Sequence, residues 1–246
     1  MKILINGASS GLGKFLAEYY SSAGNDLICV GKNQSKILNL KKKITGKNYF
    51  FYGDLSNDKI LLKLKKNLIK IKDIDAIIHC MGGGFGIKDD LLSKENFLEL
   101  FNKNLFIQSE INNLVIKEKL KKKKSLKIIH ISTVASIENV ASVGYTTAKA
   151  ALNIYSQILS KKLFKKNIDI KNIIMGAFET DDNSFGRLKK KNISAYRKFK
   201  NTRMPLKKYI LPSEIVSTIS FLLDKSSRII SGDIILDNRE KSSFRN

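Results

Sequence analysis

The sequence predicts a single-domain α/β fold, a doubly wound parallel sheet with helices on both faces in three αβα layers. Three observations predict it. Strand-like and helix-like segments alternate along all 246 residues, the pattern that parallel strands and right-handed crossovers impose. The strand-like segments are near-continuous apolar runs, such as Ile128-Ile129-His130-Ile131 and Ile77-Ile78, as expected where both sheet faces are covered. No linker or internal repeat interrupts the alternation, so residues 1–246 read as one domain.

The elements follow in order. Residues 2–6, Lys-Ile-Leu-Ile-Asn, form the first strand. Residues 13–23 form a helix, because Phe15, Leu16, Tyr19 and Tyr20 recur at its period. A second strand at 27–30 and a helix at 35–43 lead to a third strand at 49–52, closed by Gly53-Asp54. Residues 58–70 form a helix with Leu61, Leu62, Leu64, Leu68 and Ile69 apolar. The fourth strand spans 76–80, and one long helix spans 94–119, with lysines at 121–124 as a solvated exit. The fifth strand (127–132), a second long helix (145–164), the sixth strand (168–174), a helix (212–223) and a last strand (233–236) complete the chain. Residues 181–208 break the rhythm. They are polar, basic and poorly periodic, and long loops of that kind in compact domains serve as lids or binding loops.

Composition narrows the function. A hydrophobic content of 43% excludes a disordered chain, and no apolar run approaches the ~20 residues of a membrane helix. Two cysteines, Cys29 and Cys80, and two histidines, His79 and His130, exclude a disulfide scaffold and a His-rich metal site. The net charge is +23, but only six of the 45 basic residues are Arg, the side chain suited to bidentate phosphate or guanine recognition. The charge therefore reads as a solvated Lys surface rather than a nucleic-acid platform, and its field attracts phosphorylated or carboxylated ligands. The N-terminal apolar run is too short for a signal peptide and enters a glycine motif directly, which predicts a cytoplasmic protein with free thiols.

That motif is Gly7-Ala8-Ser9-Ser10-Gly11-Leu12-Gly13, set between a strand and an amphipathic helix. Gly7 permits the tight turn, Gly11 lets the backbone approach a pyrophosphate, and Gly13 lets the helix pack on the strand. The helix N-terminus offers N–H groups to the phosphates, with Ser9, Ser10 and Leu12 in the same turn. The spacing G-x-x-x-G-x-G resembles that of the short-chain dehydrogenase/reductase family, whose pattern is T-G-x-x-x-G-x-G, with Asn6 here in place of Thr. The resemblance implies a Rossmann-like fold with seven parallel strands.

Further residues fit that resemblance. At the end of the second strand an acid would bind a ribose 2′-hydroxyl and a base a 2′-phosphate. The sequence has Lys32 and Asn33 and no acid, which favours NADP(H) over NAD(H). Asp54 and Leu55 match the family position that touches adenine. Tyr145-Thr146-Thr147-Ala148-Lys149 is a Y-x-x-x-K whose two side chains share a helix face. An ammonium there favours the phenolate and lowers the Tyr pKa from about 10, so that Tyr can exchange a proton with a carbonyl or alcohol oxygen. Tyr196 and Lys200 repeat the spacing in the irregular basic segment and read as surface or lid. The hydroxyl that holds the substrate oxygen is Thr133 from the strand pattern, or Ser132 from the interval to Tyr145; Thr133 is preferred. Asn104 resembles the family's Asn that holds a water on a proton relay to the Lys, with Asn102 its close competitor.

Other matches carry departures. Ile78-His79-Cys80-Met81-Gly82 stands where the family has N-N-A-G, and only Gly82 is kept. Cys80 reads as a packed thiol and His79 as a satisfied strand-end residue. Met175-Gly176-Ala177-Phe178-Glu179-Thr180 resembles P-G-x-x-x-T, the nicotinamide contact, which implicates Gly176, Phe178 and Thr180. Asp237-Asn238-Arg239 replaces D-G-G. The resemblance implies carbonyl–alcohol interconversion on a small molecule and a homotetramer built partly through the two long helices. Three functions compete: an oxidoreductase of a sugar derivative, for which Ser136-Ile137-Glu138-Asn139 fits loosely, a 3-oxoacyl-thioester reductase with an acidic carrier, and a non-catalytic nucleotide- or nucleic-acid-binding protein.

Overall fold

The computed structural model describes residues 1–138 and 141–239; Asn139 and residues 240–246 lie outside the described residues. Seven strands form one sheet: β1 (Lys2–Asn6), β2 (Asp26–Gly31), β3 (Asn48–Tyr52), β4 (Ala76–His79), β5 (Leu126–Thr133), β6 (Ile168–Met175) and β7 (Asp233–Leu236). Their order is β3-β2-β1-β4-β5-β6-β7, and all neighbours are parallel. Strand order reverses between β1 and β4, where such sheets open a crevice at the strands' carboxyl ends.

Alternate residues of each strand feed opposite faces. Ile3, Ile5, Ile78 and Ile129 pack with Leu12 and Leu16 of α1 (Gly11–Ser22), Ile37 and Leu40 of α2 (Gln34–Lys41), and Ile215 and Ile219 on residues 212–223. Leu4, Ile77 and Ile128 pack on the other face with Leu64 and Leu68 of α3 (Asp58–Lys70). Each such buried Ile or Leu contributes roughly 1.5–3 kcal/mol.

The predicted 94–119 helix is α4 (Lys94–Phe101) and α5 (Ile107–Lys121), joined by a π-helical turn at Asn102–Phe106. Beyond β5 come α6 (Ala135–Glu138) and α7 (Val143–Leu163), which begins two residues earlier than predicted. Residues 181–208 are not an irregular loop. They contain α8 (Ser184–Lys191) and α9 (Ile193–Arg203), followed by α10 (Pro212–Leu223). Asn183 and Asn192 cap α8 and α9 with their side chains. Tyr196 is not a surface residue: it is buried with Met204 and Tyr209 in a third cluster, and its hydroxyl donates to Glu179. No helix among the described residues is long and apolar enough to cross a membrane.

Candidate active site

A cavity of about 1250 Å³ opens at the carboxyl ends of β1 and β4. The glycine turn forms its floor. Gly7 and Ala8 donate to the Val30 carbonyl at 2.9 and 2.8 Å, folding the turn onto β2. A Cβ on Gly13 would lie 2.2 Å from the Gly7 carbonyl oxygen, so only glycine lets α1 start this close to β1. Ser10 makes no side-chain cap at the start of α1, which leaves the first N–H groups of the helix for an anion. The Thr180 hydroxyl is buried without a hydrogen-bond partner among the described residues, and a Cβ on Gly11 would meet it at 3.4 Å. Gly7, Ser9, Ser10, Gly11, Leu12, Lys32, Asp54, Leu55, Cys80, Met81, Gly82, Gly176 and Phe178 line the same space. A cradle without side chains, free helix N–H groups and an orphaned hydroxyl together fit a dinucleotide.

At the β2 end, Lys32 Nζ pairs with Asp54 Oδ2 at 2.7 Å. That contact holds the Asp54 carboxyl below its usual range. Asn33 does not line the cavity: its Oδ1 accepts from Lys36 N at 2.9 Å and caps α2. An Asn before a helix is a capping signal, and the Asn33 side chain serves that role here.

The catalytic candidates meet at the other end. Tyr145 and Lys149 lie one turn apart on α7, and the Thr133 hydroxyl at the end of β5 lies close enough to the Tyr145 phenol to lower its pKa. Ser132 points elsewhere: it is buried, and its hydroxyl donates to Asn153 Oδ1 at 2.5 Å. Lys149 is buried and donates to the Ile131 carbonyl at 2.8 Å. Burial lowers its pKa to about 8. The Tyr145 phenol is not acidified as expected. Burial pushes it up to about 12 against the smaller lowering by Thr133, because the Lys149 ammonium is aimed at Ile131.

Asn104 is fully buried in the π-turn. It clamps the two peptides that flank Gly83: Gly83 N donates to its Oδ1 at 2.9 Å, and its Nδ2 donates to the Gly83 carbonyl at 3.0 Å. Gly82 lies flat on this clamp, where a Cβ would come within 2.7 Å of Asn104 Oδ1 and 2.9 Å of Lys149 Nζ. Its φ of +151° is one that L side chains rarely adopt.

Behind the cavity, Asn6, His79, His130 and Asn172 form one buried row across β1, β4, β5 and β6. His79 Nε2 meets Asn112 Oδ1 and Asn112 Nδ2 meets His130 Nε2, each at 2.9 Å, while the Asn6 amide reaches His79 Nδ1 at 3.4 Å. His79 is thus a satisfied core residue, held neutral by burial with its pKa near 4. Cys80 lines the cavity, its pKa raised to about 12 by burial. Asp237 packs on Gly176, where a Cβ would meet its Cα at 2.6 Å. Sequence reasoning missed Lys103 and Gly31. Lys103 lines the cavity beside Asn104, and a Cβ on Gly31 would meet Ser9 at 2.7 Å.

Comparison with known proteins agrees with this geometry. The family model described as short chain dehydrogenase matches residues 1–190. L-Xylulose reductase of Caenorhabditis elegans is 26% identical over 242 residues, 95% of this chain and 92% of that protein. The 3-oxoacyl-[acyl-carrier-protein] reductase of Aquifex aeolicus is 25% identical over 245 residues, 94% and 93% of the two chains. Among solved structures, 4-hydroxyisoleucine dehydrogenase complexed with NADH superposes with a TM-score of 0.84 at 23% identity, covering 96% of this chain and 97% of the other. The chain belongs to the short-chain dehydrogenase family, oxidoreductases that interconvert alcohols and carbonyls with a nicotinamide cofactor.

Proposed function

We propose that this protein is an NADP(H)-dependent reductase of a small carbonyl compound, with Tyr145 as proton donor. The observation that carries the reading is Tyr145, with the Thr133 hydroxyl near it, on the wall of a cavity whose floor is the glycine turn. The nicotinamide group bound there supplies the hydride. Thr133 donates a hydrogen bond to the substrate carbonyl oxygen, and Tyr145 delivers the proton to that oxygen. Lys149, one turn along α7 from Tyr145, refills the proton, while Asn104 holds the Gly83 backbone beside it. Gly7–Gly13 and Thr180 seat the phosphates, and Gly176 and Phe178 line the nicotinamide end. Lys32, just past the end of β2 where a family acid would stand, favours the 2′-phosphate, with Asp54 as its present ion-pair partner. The preference for NADP(H), the cytoplasmic location and assembly into a homotetramer belong to this proposal.

A sugar-derived substrate is in keeping with the xylulose reductase relative. A 3-oxoacyl thioester is the second reading, favoured by the +23 charge and the Aquifex relative. NADPH and NADH oxidation with a panel of sugars, small ketones and acetoacetyl thioesters decides. Turnover with one class, faster with NADPH, is expected. A larger thermal shift with NADH than with NADPH overturns the role of Lys32. Absence of any cofactor oxidation, with binding intact, favours a non-catalytic nucleotide-binding protein.

A further inference from the structure

We propose that the substrate carries an anionic group, a carboxylate or a phosphate, that docks on the cationic wall beside Tyr145. This deepens the reductase reading and rests on it. Five cations line the cavity, Lys32, Lys88, Lys103, Arg187 and Lys191, against two acids, Asp54 and Asp182. Both acids are engaged at the α2 end: Asp54 with Lys32 at 2.7 Å, and Asp182 with Lys36 of α2 at 2.8 Å. Among the described residues no acid lines the rest of the cavity. The substrate end is therefore left with positive charge that its own lining does not neutralise.

Geometry places part of that charge at the reacting group. A Cβ on Gly84 would contact the Tyr145 Cβ at 3.8 Å, so Gly84 lies against the base of the Tyr145 side chain, and residues 84–88 line the same cavity as Tyr145. Phe85 is one of these, and the Lys103 ammonium lies 4.5 Å from its ring centroid. Lys103 precedes Asn104 in the π-turn and is held by an ion pair with Glu99, outside the cavity lining. Lys88, three residues beyond Phe85, also lines the cavity and has no ion-pair partner among the described residues. The pyrophosphate seat is the glycine turn, so the Lys88–Lys103 wall is not required for cofactor phosphates. Apolar Phe85, Phe178, Phe185 and Leu188 line the same cavity, and low-dielectric walls strengthen the field of its ammonium groups on a bound anion.

The test uses matched pairs with the whole protein and NADPH: 3-oxobutanoate against its methyl ester, and dihydroxyacetone phosphate against dihydroxyacetone. The anion is expected to win in at least one pair by about tenfold in kcat/KM. The winning pair tells a carboxylate from a phosphate. In the Lys88→Gln/Lys103→Gln double variant the ratio is expected to fall to about one. Neutral members turned over as well as, or better than, both anions overturn the proposal and leave the reductase reading standing. Binding is read independently of turnover, by calorimetric titration of 3-hydroxybutanoate and its methyl ester, and of glycerol 3-phosphate and glycerol, into the NADP+-loaded protein. Tighter anion binding that the double variant loses supports the proposal even where the reductase reading fails. Equal affinities within both pairs overturn it.

Discussion

At the residue scale, the site depends on side chains whose charge is set by burial. Lys149 has a folded pKa of about 8 against 10.5 in the unfolded chain. Between those values the unfolded state binds more protons, so stability rises with pH across that window and the cost of burying the ammonium is complete below pH 8. The shift corresponds to about 3 kcal/mol. Urea unfolding at pH 8 and pH 10.5 is expected to show the wild type gaining stability relative to Lys149→Met across this window, a difference in which the opposing contribution of the buried Cys29 and Cys80 thiols cancels. Proton refilling needs the charged form, so carbonyl reduction is expected to fall as pH passes upward through about 8. A Cβ on Gly82 would press on both Asn104 and Lys149. Gly82→Ala is therefore expected to cut kcat by about 10² while the circular dichroism spectrum is unchanged. The glycine turn and the Tyr145/Lys149 pair were legible in the sequence as fixed spacings beside strand ends, whereas Thr133 was read from the strand pattern against an interval to Tyr145 that pointed to Ser132. The direction of the Tyr145 pKa was not legible, because it depends on where the Lys149 ammonium points and how deeply the phenol is covered.

At the element scale, the apolar runs gave the strands nearly to their ends, since a strand covered on both faces has no other composition to choose. The π-turn at Asn102–Phe106 was hidden, because one extra residue in a helix leaves no compositional trace, yet it is what turns Asn104 inward. Helices α8 and α9 were hidden by their lysines. Their signals were the capping Asn183 and Asn192 and the pairs Phe185/Leu188 and Tyr196/Phe199, each three residues apart. These helices rest on a small separate cluster in which Tyr196 stacks on Tyr209 at 4.7 Å between ring centroids. Tyr196→Ala is expected to cost about 3–5 kcal/mol there. Hydrogen exchange should then show residues 184–203 losing protection while β1, β4 and β5 keep theirs.

At the scale of the whole molecule, the central strands share a buried polar row that ties fold to site. The Asn6 amide donates to His79 Nδ1, His79 Nε2–H donates to Asn112, and the Asn112 amide donates to His130, so each ring has a nitrogen that must stay unprotonated. Folding holds His79 near pKa 4 from an ordinary 6.5, and His130 well below its ordinary value, in each case by burial first. The unfolded chain takes up these protons first, so stability is expected to fall with pH from about 6.5 towards 4, by on the order of 3 kcal/mol from His79. The urea midpoint of His79→Gln should lose much of that dependence. Everything chemical in the account converges on one hydroxyl above the glycine turn. Reduced-cofactor oxidation by Tyr145→Phe, measured beside a fluorescence titration of NADPH binding, tests it most directly. The account predicts unchanged cofactor affinity and a rate lowered by about 10²–10⁴; a variant that turns over carbonyl substrate at the wild-type rate would contradict it.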